Sequence, residues 1–209
     1  MPPNLQDLLT PAETVVLTVE MQRGVIGDRV TAFGGGALLE AVEKAGSIPA
    51  AQRLVRAARE AGSRVVHATI SLRADRAGLA RNNRMLAAIL RQPDQMLEGT
   101  EATELIPELE LSPSDIIVNR VHGLTPFNGT ELDAVLRNLG TKTLVPIGVS
   151  VNVAIMGTCI SASDLGYQIV LPTDAVVGVP ESYAADAITN TLSYLATLTT
   201  VDDIVKVWS

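Results

Sequence analysis

Only one cysteine occurs, Cys159, which excludes an internal disulfide and suits the reducing cytoplasm. Histidine is almost as scarce: His67 and His122 are the two, 55 positions apart, and they make no credible metal site. Clusters of lysine and arginine are missing, and the formal net charge is −7, with both signs interspersed. Phosphate binding needs a concentrated basic face, so nucleic acid is not expected as a partner. No apolar run approaches the roughly 20 residues of a membrane span. The stretch from Met1 to Thr10 holds Asp7 and two prolines but no basic segment, so it does not read as a signal peptide. Aromatic residues are 3%, and the core must therefore be aliphatic.

Apolar residues are plentiful, at 47% of 209 positions, enough for a sizeable core in one domain, and no linker divides the chain. Five β-branched runs stand out: Thr14–Val19, Arg64–Ile70, Asp115–Asn119, Thr143–Ile147 and Gln168–Leu171. Each is short and almost continuously apolar, as a parallel strand covered on both faces reads. Helix-period stretches separate or follow them, at Ile48–Glu60, Gly78–Arg91, Leu132–Asn138, Asn152–Leu165 and Ser182–Leu195. Gly62, Gly140 and Gly166 each follow a helix and precede a strand, where a C-terminal cap belongs. The alternation predicts an α/β fold: a doubly wound, mostly parallel sheet of five or six strands, helices on both faces. Leu195–Thr200 is expected to add an edge strand before a closing helix at Val201–Trp208, and Gly34-Gly35-Gly36 to form a flexible loop. In such a sheet ligands sit beyond the carboxyl ends of the strands. The residues that matter are then those at Glu20–Gly24, His67–Arg73, Arg120–Phe127 and Gly148–Ala154.

These places carry a family resemblance. The first strand ends in Glu20-Met21-Gln22, similar to an Asp-x-Gln motif. Arg120 stands near a family lysine and is followed by Pro126-Phe127-Asn128-Gly129-Thr130-Glu131-Leu132. The fourth run leads into Gly148-Val149-Ser150-Val151-Asn152-Val153-Ala154, then Thr158 and Gly166-Tyr167, and the fifth into Asp174-Ala175. In this order and spacing the chain resembles the isochorismatase-like (cysteine hydrolase) superfamily over roughly residues 12–205, with an expected strand order of 3-2-1-4-5-6.

The resemblance implies a site and also a departure from it. Cysteine-using members carry an Asp-Lys-Cys triad; here the three positions hold Glu20, Arg120 and Ala154. Alanine cannot attack a carbonyl, so cysteine-dependent amidase chemistry is not expected. Cys159 does not replace it, because five residues along a helix turn the side chain about 140° away; it reads as a small buried apolar residue.

One branch of the superfamily, the true isochorismatases, works without the thiol: an acid protonates a vinyl ether and water completes the hydrolysis. Glu20 is the expected general acid and Arg120 the carboxylate anchor, since a guanidinium fork matches a carboxylate. A structural ion pair at the sheet's rim is the plain alternative for the two. Ser150, Asn152, His122 and Phe127 are the expected substrate-binding residues. The resemblance places a cis peptide at Val149–Ser150 and backbone amides of Ser150 and Ala154 toward a ligand, with no cofactor. The expected partner is a small, anionic substrate or ligand, and the chain is expected to form a homo-oligomer. The rival reading is a catalytically silent ligand-binding or scaffold protein on the same fold. His67 is expected to be structural, and Arg73, Arg76, Arg81 and Arg84 to form either a solvated face or an anion gate.

Overall fold

The architecture is that of a computed structural model, which describes residues 4–31, 36–89, 91 and 94–209. Strand β1 spans Thr14–Val19, β2 Arg64–Ile70, β3 Ile116–Arg120, β4 Thr143–Val149 and β5 Gln168–Pro172. Two shorter strands follow, β6 at Val176–Val177 and β7 at Thr197–Thr199. They form a seven-stranded sheet of order β3-β2-β1-β4-β5-β7, with β6 off this path and paired to β4. Each strand pairing is parallel.

The expected order is thus found, with β7 as its last strand, but there are seven strands rather than five or six. The extra one exists because β4 and β5 diverge. They pair only at Thr143–Leu144, and beyond that Gly148 and Val149 take Val176 and Val177 as neighbours.

Helices cover both faces, α1 being Gly36–Ala45, α2 Ser47–Ala61, α3 Arg84–Ile89, α4 Leu132–Asn138, α5 Met156–Asp164, α6 Glu181–Ala187 and α7 Val201–Trp208. Every residue of β1 and of β4 is buried, which explains why both read as unbroken apolar runs. One face packs Val16, Val65 and Val145 against Leu54, Val55 and Ala58 of α2, with Ile204 of α7 beside them. The other packs Leu17, Val66 and Leu144 with Leu132, Leu136 and Cys159.

Gly62 ends α2 in the left-handed region, its N–H reaching Ala58 O, as the sequence expects of a cap. α7 starts on Thr200, whose side chain accepts from Asp203 N, and Trp208 Nε1 near its end donates to Leu9 O at 2.8 Å.

Three expected helices differ, and in one of them, Ser182–Leu195, a wider π-type stretch at Ile188–Leu192 follows α6. The stretch from Gly78 contributes a helix only from Arg84, and Asn83 Oδ1 accepts from Leu86 N there in the manner of an N-cap. The stretch from Asn152 begins with a wider π-type turn over Val151–Ile155 before α5. Gly34 and Gly35 lie outside the described residues, and Gly36 opens α1. Among the described residues no helix is long and apolar enough to cross a membrane.

Candidate active site

β1 pairs with β2 on one side and β4 on the other, so the chain leaving β1 emerges at the middle of the sheet's carboxyl edge. Glu20 is the first residue out. Its N–H donates to Ala68 O of β2 at 2.9 Å, and its backbone is left-handed, φ 54°. That conformation is uncommon outside glycine, asparagine and aspartate and costs on the order of 1–3 kcal/mol.

Two residues later the fully buried Gln22 fixes the turn. Its Oε1 accepts from Ile70 N at 2.8 Å, and its Nε2 donates to Ile70 O at 2.9 Å and Thr103 O at 2.7 Å. One amide side chain therefore ties the exit of β1 to the end of β2, which leaves Glu20 little freedom.

Arg120 is the last residue of β3, not the first beyond it, and its carbonyl accepts from Ser71 N at 3.0 Å. Its Nη2 donates to Glu20 Oε1, closing an ion pair between side chains that are 3% and 19% exposed. Two positions 100 residues apart thus meet at the sheet edge. The guanidinium is only partly satisfied. Its Nε and Nη1 are buried and have no hydrogen-bond partner. Asn152 Oδ1 is likewise buried without one, and Thr141 Oγ1 is the remaining atom of this kind among the described residues.

β4 comes very close to β1 at Gly148. The residue has φ 107°, and a Cβ there would lie 2.4 Å from Val19 O, so glycine is required on both counts. Val19 pairs with Gly148; Glu20 then leaves β1, while β4 runs one residue further, to Val149 paired with Val177, before Ser150 leaves the sheet. The Val149–Ser150 peptide is cis. The next turn folds back on Ser150, whose carbonyl accepts from Val153 N at 3.2 Å and Ile155 N at 3.0 Å. Ala154 is 2% exposed, and its carbonyl accepts from Thr158 Oγ1. Asn152 Nδ2 donates to Val179 O, locking the turn to the segment after β6.

The remaining expected residues sit as follows. Phe127 is core, its ring stacked on Tyr167 with centroids 6.2 Å apart, and its contacts are those of packing. His122 follows β3, and its ring lies against Gly129, where a Cβ would come within 2.6 Å of Cε1. Cys159 is fully buried, and burial pushes its thiol up to about 12. Arg73 is paired with Asp75 at an exposed position, and Arg76 Nη1 donates to Gln95 O. Among the described residues no group of three or more His, Cys, Asp or Glu is arranged to hold a metal. A cavity of about 280 Å³ lies at β6, which β4 separates from β1. It sits between α1 and α6, lined by Ala41, Lys44, Val176, Gly178, Glu181 and Ile188 among others, and not by Glu20 or Arg120.

His67 heads a network that sequence reasoning did not assemble. It is fully buried, with Nδ1 2.8 Å from Thr18 Oγ1 and Nε2 3.2 Å from Asp115 Oδ2. Asp115, 1% exposed, also accepts from Arg59 Nη2 at 2.5 Å and from Ser112 N at 2.9 Å. Desolvation pushes the Asp115 carboxyl up, and the Arg59 and Ser112 hydrogen bonds outweigh it, holding the group below its ordinary value. Desolvation lowers His67 and prevails over the raising effect of Asp115. The acid just before a strand was the available signal.

The sequence matches the isochorismatase domain family over residues 14–203, almost its whole length. The chain belongs to the isochorismatase family. Within it, the chain is similar to the isochorismatase family protein YecD of Escherichia coli O157:H7, 26% identical over 209 residues, covering 95% of this chain and 97% of YecD. It is 27% identical over 210 residues to the ureidoacrylate amidohydrolase RutB of Rhizobium rhizogenes, covering 93% and 83% of the two chains. A cysteine hydrolase from Pseudomonas syringae pv. phaseolicola shares the fold, with a TM-score of 0.80 at 21% identity, covering 100% and 95%.

Proposed function

We propose that this isochorismatase-family chain is a hydrolase that works without a cysteine nucleophile on a small carboxylated substrate, with Arg120 as anchor and Glu20 as general acid. The observation that supports it is the pair of unpartnered nitrogens on Arg120. A guanidinium is always charged, and each buried donor left unmade costs about 1–3 kcal/mol. A fold that needed only a structural ion pair would satisfy the fork; here Glu20 takes Nη2 and leaves Nε and Nη1 for a ligand. Nε and Nη1 lie on different edges of the guanidinium, so a ligand carboxylate takes a charge-assisted hydrogen bond from one or the other. The RutB relatives are named for ureidoacrylate, itself a small carboxylate.

Chemistry follows from what stands at position 154. A methyl group excludes an acyl-enzyme, so water must be the nucleophile and the site must activate the substrate instead. On a vinyl ether, Glu20 in its acid form gives a proton to the terminal alkene carbon, and water adds to the resulting oxocarbenium carbon. The hemiketal then collapses to a ketone and an alcohol. The same alanine also favours a second reading, a binding protein that retains the anion site and no turnover.

One experiment separates the two. Purified protein is offered isochorismate, as a vinyl-ether acid, and ureidoacrylate, with pyruvate and ammonia followed as products. Pyruvate release that is lost in Glu20→Gln supports the hydrolase. Saturable binding without product supports the binding protein. Neither binding nor product would overturn both.

A further inference from the structure

We infer that an anionic ligand arriving at Arg120 brings a proton into the site, and that Glu20 is where it lands. The inference rests on the proposed anchor role of Arg120. It answers a difficulty that role creates: a general acid must hold a proton, yet the ligand-free structure pairs Glu20 with a guanidinium, the partner that favours a bare carboxylate.

Charge counting at the sheet edge resolves the difficulty. Without ligand, one carboxylate and one guanidinium cancel, with Arg120 almost fully buried and Glu20 largely so. A ligand carboxylate bound through Arg120 Nε or Nη1 puts two carboxylates on one cation. Two such groups sharing a partly desolvated site do not both stay ionised; one proton is taken up and shared between them.

Among the described residues, the first cations along the chain after β1 and after β2 are already paired. Beyond β1, Arg23 is held by Asp28 at 2.8 Å and Glu104 at 2.7 Å, and Arg29 pairs with Glu101. Beyond β2, Arg73 is held by Asp75 at 2.8 Å. The turn from Gly148 to Ile155 contains no ionisable side chain. Beyond β3 stands His122, with its ring packed on Gly129.

The free site is therefore in its base form and becomes an acid only when a carboxylated ligand is seated. Neutral molecules entering the same crevice would find no acid. The cycle balances: Glu20 gives its proton to the alkene carbon, water adds and returns a proton to the carboxylate, and one water is consumed with no net proton.

Titration calorimetry with ureidoacrylate, run at pH 7 in Hepes and in Tris, reads the proton directly. The expected result is a binding heat that differs between the buffers in proportion to a fraction of a proton taken up per ligand. Affinity should also rise as pH falls from 8 to 6, by at most about tenfold per unit for one linked proton. In Glu20→Gln the buffer dependence should vanish while the carboxylate binds at least as tightly, because a like charge has gone; a purely structural Glu20 would weaken binding instead. Equal heats in both buffers with a flat pH profile overturn the coupling and leave the anchor standing. Uptake that persists in Glu20→Gln assigns the proton to another group and also overturns it. No binding at all overturns the anchor and the inference together.

Discussion

Arg120 and Ala154 pose opposite problems at the scale of single residues. The arginine has more donors than partners; the alanine has no polar atom at the position where the family resemblance leads one to expect a thiol. Arg120→Met should abolish carboxylate binding in a titration with ureidoacrylate, and retained binding would remove the anchor. Ala154→Cys would put a thiol in the turn that leads from β4 into α5. That thiol should label with iodoacetamide at least tenfold faster than Cys159, a thiol that burial pushes up to about 12. Equal labelling rates would mean that the turn does not present position 154 to the crevice. The Glu20–Arg120 contact itself was legible in sequence, because both positions follow or end strands that converge on one sheet edge. The unpartnered nitrogens were not, since partner counts depend on side-chain packing from β2, β3 and the adjoining loops.

Strands and helices show the same division. β1, β2, β4 and β5 read directly from their apolar runs because both faces are covered. β3 was displaced by one residue at its start: Asp115 belongs to the loop because its carboxylate turns inward to Arg59, His67 and Ser112 N. β6 was invisible, for two residues carry no period and their pairing is set by the parting of β4 and β5. The His67 network across β1, β2 and β3 has a measurable consequence. Its folded-state affinity for protons is lowered by burial, so the unfolded chain binds a proton that the folded one refuses. Stability contributed by the neutral ring is complete above about 6.5 and is lost as pH falls below it. The urea midpoint should therefore drop between pH 7 and 5.5, and His67→Gln should flatten that part of the curve; an unchanged slope would refute the assignment. Gly148→Ala tests the β1–β4 approach. With a Cβ 2.4 Å from Val19 O and φ 107°, the variant should lose several kcal/mol or fail to accumulate, and a wild-type melting curve would contradict the geometry.

For the molecule as a whole, assembly and total stability are the quantities in play. Tyr194 is 85% exposed, Tyr183 51% and Ile160 43%, large groups on helical segments of one face of the sheet. Together with the family resemblance they lead us to expect a symmetric oligomer, and light scattering at micromolar concentration should return a multiple of 22.0 kDa. A mass of one chain would refute it. The left-handed backbone at Glu20 has a consequence of another kind, in what selection can and cannot preserve. A glutamate held at φ 54° against a half-satisfied buried arginine is a burden on folding. Asparagine at 20 with methionine at 120 would relieve both, and the doubly substituted chain should melt higher by a few degrees, at about 2–4 °C per kcal/mol for a domain of this size. Selection for foldedness alone would favour that relief, whereas selection for a carboxylate site, in the function proposed above, would oppose it.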